Sequence, residues 1–109
     1  MHRTDLLDAN FKSCQLFASM LVRHGIKLYV FEGEANPEAM SAYDPGERMR
    51  RETQERFEAM ATRVGFTYVP SSQMPHFAIK DFADAVHLDS DAEKRFSLYL
   101  ASYLKERGL

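Results

Sequence analysis

Gly25-Ile26-Lys27-Leu28-Tyr29-Val30-Phe31-Glu32-Gly33 decides the fold class of this chain. Six β-branched, aromatic and aliphatic-stemmed residues, 26–31, stand between two glycines, which is the pattern of a short buried strand. Upstream, Leu7, Phe11, Cys14, Ala18 and Leu21 recur at alternating steps of four and three. They form one stripe of a helix with Thr4 as N-cap and Gly25 as its stop, and Phe17 and Met20 widen the apolar face. Cys14 lies between Phe11 and Phe17 on that stripe, so it reads as a buried thiol. As the only cysteine, it has no internal disulfide partner.

Downstream, Glu32 to Asp44 has no periodicity and contains Gly33, Asn36 and Pro37, so it reads as a loop leaving the C-terminal end of the strand. In open α/β sheets such loops hold ligands. Asp44-Pro45-Gly46-Glu47 then offers an N-cap, a proline at the first helical position and a glutamate three residues after the cap. The helix it opens turns Met49, Thr53, Phe57, Met60 and Val64 inward and ends at Gly65. Its outer face mixes arginines with glutamates, as a solvated, self-paired surface does. Phe66-Thr67-Tyr68-Val69, closed by Pro70, is a second strand, and strand, helix, strand implies a right-handed parallel crossover. Pro70 to Leu88 reads as loop with at most one helical turn. Ser90-Asp91-Ala92-Glu93 has the form of a capping box for a last helix carrying Phe96, Tyr99, Leu100, Tyr103 and Leu104 on one side.

The whole is one domain over residues 1–109, of α/β class, in the order α-β-α-β-α with a parallel sheet. Hydrophobic residues make up 45% and charged residues 28%, enough apolar content for a packed core. A net charge of -2 argues against a nucleic-acid partner. No apolar run approaches the length of a membrane span, and acidic residues occupy the place of a secretory signal's apolar core. As written the chain reads as cytoplasmic or as a piece of something larger, extracytoplasmic if a longer precursor exists. Two strands for three amphipathic helices make an incomplete sheet, so a homo-oligomer or another partner is expected to supply further strands.

Phe82-Ala83-Asp84-Ala85-Val86-His87-Leu88 carries the most specific chemistry. Asp84 and His87, three apart on a turn, can meet: the carboxylate fixes the tautomer of the ring and stabilises the imidazolium formed when the other nitrogen takes a proton. A turn-capping aspartate beside an ordinary histidine has the same spacing. Other candidates are weaker. His24 suits a helix C-terminus, where the dipole favours an imidazolium, and His76 reads as exposed. Asp81, Asp84, His87 and Asp89 match no common metal-binding spacing, so no metal and no cofactor are expected. Glu32 and Glu34 flank Gly33 as a glycosidase pair would, with nothing to hold them across a sugar.

Asp84-x-x-His87-Leu88, followed by a short polar gap and a closing amphipathic helix, resembles the last motif block of the SGNH (GDSL-like) hydrolase superfamily. The strand, helix, strand layout before it resembles that family too, over roughly residues 20 to 109. The resemblance implies a partial three-layer, flavodoxin-like unit and an ester or acyl hydrolase in which a serine attacks the carbonyl, His87 is base and then acid, and Asp84 orients it. Gly25 to Pro37 is most similar to the branch acting on acyl groups of bacterial cell-envelope polymers, which makes an acyl ester or such a polymer the implied substrate. The family's Gly-Asp-Ser block and its later glycine and asparagine oxyanion donors are not seen here. Ser71 and Ser72 lie in a loop near the site, Ser90 reads as a helix cap, and Asn36 does not match the oxyanion block. The nucleophile is therefore expected to lie outside these residues, and the other reading is a non-catalytic α/β module that docks on a partner or on itself.

Overall fold

A computed structural model describes residues 3–84 and 87–108. The chain is mostly helical around one small parallel sheet. Helix α1 spans Arg3–Arg23, strand β1 Tyr29–Phe31, helix α2 Pro37–Tyr43, helix α3 Arg48–Val64, strand β2 Thr67–Val69 and helix α4 Ser90–Glu106. Between β2 and α4 the chain makes two 3₁₀ turns, Ser71–Gln73 and Ile79–Asp81.

Both strands are shorter than the sequence pattern implies, for one shared reason. Gly25 and Gly65 end α1 and α3 in the left-handed region, at φ 76° and 97°. The next residue is then consumed by the helix end: Ile26 N donates to Leu21 O at 3.1 Å and Phe66 N to Ala61 O at 3.2 Å. What remains pairs in parallel, Tyr29 with Thr67, Val30 with Tyr68 and Phe31 with Val69. The ladder is extended at its two ends by Thr67 N to Leu28 O and Glu32 N to Val69 O.

Alternation along the strands sends these pairs to opposite faces. On one face Tyr29, Phe31 and Val69 pack with Met74 against Phe96, Tyr99, Leu100, Tyr103 and Leu104 of α4. The Tyr103 ring meets Phe31 edge-on at 5.1 Å. On the other face Tyr68 stacks on Phe57 of α3 at 5.6 Å, and Phe57 touches Phe11 of α1 at 5.0 Å. The layers thus run α1, α3, sheet, α4. Two strands do not amount to a full three-layer sandwich, and the radius of gyration, 15.4 Å, exceeds the roughly 13 Å of a compact chain of this length. The molecule is a slab of 42 × 41 × 19 Å.

Several local expectations are corrected. Helix α1 is already in place at Arg3, so Thr4 lies inside it; the side chains of Thr4 and Leu7 fall outside the described residues. Only a narrow seam of α1 is covered: Phe11 and Ala18 are buried, whereas Cys14 is exposed and Phe17 is 59% exposed. Its main packing partner among the described residues is α3, and Cys14 lies off that seam. The stretch Glu32–Asp44 is not all loop, because Asn36 caps α2 through Glu38 N at 3.0 Å and Pro37 supplies its first helical residue. Asp44 does not open α3 directly. Its carboxylate reaches forward instead, accepting from Met49 N and Arg50 N at 3.1 Å each, while Glu47 occupies the cap position at φ 58°. Ser90 is the first residue of α4, and Asp89 caps it through Ala92 N at 2.8 Å.

Candidate acid–base site at the strand ends

The segment after β2 is pinched shut before α4. Phe82 and Leu88 form an antiparallel bridge, and Asp89 N donates to Asp81 O at 2.7 Å. Inside this pinch His87 O accepts from Ala83 N at 2.7 Å and from Asp84 N at 3.4 Å. That closure turns the Asp84 carboxylate back onto His87. Its Oδ1 accepts from His87 N at 2.7 Å, and its two oxygens stand 3.0 and 2.9 Å from His87 Nδ1. A ring nitrogen bonded to a carboxylate is the one that carries the proton, which leaves Nε2 as the acceptor. Residues 85 and 86, between the two, fall outside the described residues.

Both side chains are open to solvent, His87 at 72% and Asp84 at 57%. His87 shares a shallow recess of about 210 Å³ with Gly33 and Glu34, the residues that follow β1. The pair therefore sits at the C-terminal end of the parallel strands, where ligands of such sheets are held. Asn36, which the sequence left without a role, ties the two loops together: its Nδ2 donates to Asp84 O at 3.5 Å.

A second polar cluster lies beside it and was not read from the sequence. The Glu32 carboxylate, just past β1, accepts from Tyr68 Oη, from Arg50 Nε at 3.4 Å and from Ser71 N at 3.3 Å. Arg50 also donates to Ser71 Oγ and pairs with Glu47 at 3.0 Å. Partial burial pushes the Glu32 carboxyl up, but hydrogen bonds from Ser71, Tyr68 and Arg50 together outweigh it and hold the group below its ordinary value. The Tyr68 phenol is pushed well above its ordinary value by burial and by the Glu32 charge it donates to. This network fastens β1, β2 and α3 at one point. Register gives a partial signal for it, since Tyr68 pairs with Val30 and Glu32, two residues on from Val30, shares its face; Arg50 is indistinguishable from the other arginines of its helix.

Of the remaining candidates, only Glu34 shares the recess of the imidazole. Ser71 is 2% exposed and bound into the Glu32 network, Ser72 is exposed, and neither is bonded to His87 among the described residues. Glu32 and Glu34 do not act as a pair: Glu34 accepts from Phe77 N at 3.5 Å and lies 3.6 Å from His76 Nδ1. Asp81 is held by Ala78 N at 2.8 Å and Arg95 at 2.7 Å, which keep its carboxyl below the ordinary value. Asp89 is the α4 cap. His24 Nδ1 lies 2.7 Å from Met20 O at the end of α1. No group of three or more histidine, cysteine, aspartate or glutamate side chains among the described residues is arranged to hold a metal ion. No described helix is long and apolar enough to cross a membrane.

No family model, curated protein or solved structure matches the chain.

Proposed function

We propose that this chain supplies the acid–base half of an SGNH-type ester or acyl hydrolase, as part of a three-layer flavodoxin-like domain that other polypeptide completes. The observation that carries the reading is the bond from the Asp84 carboxylate to His87 Nδ1, 2.9 Å, on a loop at the strand ends with the ring exposed. In such a site Nε2 takes the proton of a serine hydroxyl as the oxygen attacks the acyl carbon, and returns it to the leaving alcohol; Asp84 holds the ring and stabilises its charged form. The serine is contributed from outside these residues. An acyl ester, including one on a cell-envelope polymer, is the substrate class this reading carries.

The test is a protein extended upstream by a segment that bears a Gly-Asp-Ser block. Ester turnover and fluorophosphonate labelling of its serine are expected, and His87→Ala is expected to lower turnover by about 10³-fold or more. Equal turnover in His87→Ala defeats the reading.

A second reading, a docking module that pairs with a partner or another copy, rests on the slab shape and on the apolar side chains α1 leaves open. Leu16 is 64% exposed, Phe17 59% and Met20 42%. The two readings are compatible, because a polypeptide that supplies the nucleophile would also offer a surface to cover these residues.

A further inference from the structure

A cleft of about 1050 Å³ opens beside the acid–base loop, between the ends of the strands, α2 and the start of α3. Its volume matches that of small-molecule sites. Val30, Met40, Met49 and Phe57 give it apolar walls. Its charge is one-sided: Glu32, Glu34, Asp44 and Glu47 line it, against Arg50 and the imidazole of His76. Arg50 pairs with Glu32 and Glu47, so one guanidinium faces four carboxylates and the formal charge of the lining stays negative. Tyr43 lines it as well and is 79% exposed, an aromatic face held in water.

We propose that this cleft binds an organic cation carried on an apolar body, of the alkyl- or arylammonium class. The apolar walls favour the body, the carboxylates favour the charge, and the Tyr43 ring offers the face on which ammonium groups settle. An anion of the same shape meets the net negative charge of the lining. The cleft and the His87 recess share Gly33 and Glu34. Where the hydrolase reading holds, on which this last step rests, the substrate is an ester whose apolar part carries a positive charge.

Binding needs no nucleophile, so it is tested on the chain itself by nuclear magnetic resonance titration with benzyltrimethylammonium and with 4-isopropylbenzoate. The cation is expected to shift the amides of Gly33, Glu34, Tyr43 and Glu47, and to bind at least about tenfold more tightly than the benzoate. Tyr43→Ala, at an exposed position that leaves the fold intact, and Glu47→Gln are each expected to weaken the cation by about threefold. His87→Ala is expected to leave cation affinity unchanged, so failure of the hydrolase reading and failure of this one are seen separately. Equal affinity for the two ions, shifts confined to other surfaces, or a Tyr43→Ala, Glu47→Gln double variant that binds like the parent overturns the proposal.

Discussion

Asp84 grips His87 twice, once through the backbone nitrogen at 2.7 Å and once through ring Nδ1 at 2.9 Å, so one carboxylate sets both the turn and the orientation of the imidazole. The first grip belongs to the turn, the second to the ring. Asp84→Ala is expected to remove both, and nitrogen-15 chemical shifts of the His87 ring report the loss of the second. In the parent the neutral ring carries its proton on Nδ1, and in the variant the population moves toward the Nε2 tautomer. An unchanged tautomer means that the side-chain bond does not orient the ring in solution.

The Glu32 network predicts a dependence on acid. The folded carboxyl lies below its ordinary value of 4.5, so its contribution to stability is complete above that value and is lost as pH falls through the folded one. Glu32→Ala is expected to cost about 2–4 kcal/mol near pH 7, because Arg50 and the Ser71 amide lose their acceptor in a partly buried place. Urea denaturation at pH 7 and pH 3 should show the gap between parent and variant narrowing at the lower pH. A gap that stays constant places the stabilisation elsewhere.

Capping separates Asp44, Asp89 and Ser90. Asp44 accepts from two amides of the first turn of α3, so Asp44→Ala is expected to cost about 1–2 kcal/mol. Asp89→Ala is expected to cost about 1 kcal/mol and Ser90→Ala less than about 0.5 kcal/mol. Chemical denaturation of the three variants checks the order, and a Ser90 variant as costly as the Asp89 one restores the capping box one residue later.

Cys14 is exposed on α1. At protein concentrations too low for association, its thiol is expected to react with a colorimetric disulfide reagent under native conditions as completely as in urea. Protection of the thiol that rises with protein concentration would report another copy or a partner on this side of α1. Sedimentation at micromolar concentration is expected to show a dimer or larger species, and Phe17→Glu, at a residue 59% exposed in the single chain, is expected to shift it toward monomer.

Periodicity made much of the architecture legible. The stripes of α3 and α4 and the two strands follow from alternation and from the glycines that end the helices, because each rests on contacts within about ten residues; the parallel pairing of Tyr29 with Thr67 is long-range and follows from the helix that separates the strands. The shift from Asp44 to Glu47 at the start of α3 was not legible. An aspartate can cap a helix from farther upstream when a Pro-Gly turn folds it back, and propensity does not separate the two geometries. Helix α2 was hidden because its seven residues are too few to show a period, though Asn36-Pro37 is a start signal on its own. The exposure of Cys14 and Phe17 depends on what is missing beside them, which no local pattern encodes. At the candidate site, the Asp84–His87 contact joins residues only three apart, so it is encoded locally. The Glu32–Arg50–Tyr68–Ser71 cluster joins residues 18 to 39 positions apart and becomes visible only once the strands are in register.

A slab 19 Å thick has no deep interior, since every atom lies within about 10 Å of solvent. Water then softens the charge–charge interactions of exposed side chains such as Asp84 and His87, which act at interfacial rather than interior strength. For Asp84 and His87 this means that geometry is provided while the surrounding medium is not. The electrostatic environment that turns an oriented imidazole into an efficient base is low in dielectric and shielded from water, and for this pair it has to be imported with whatever surface closes over the loop.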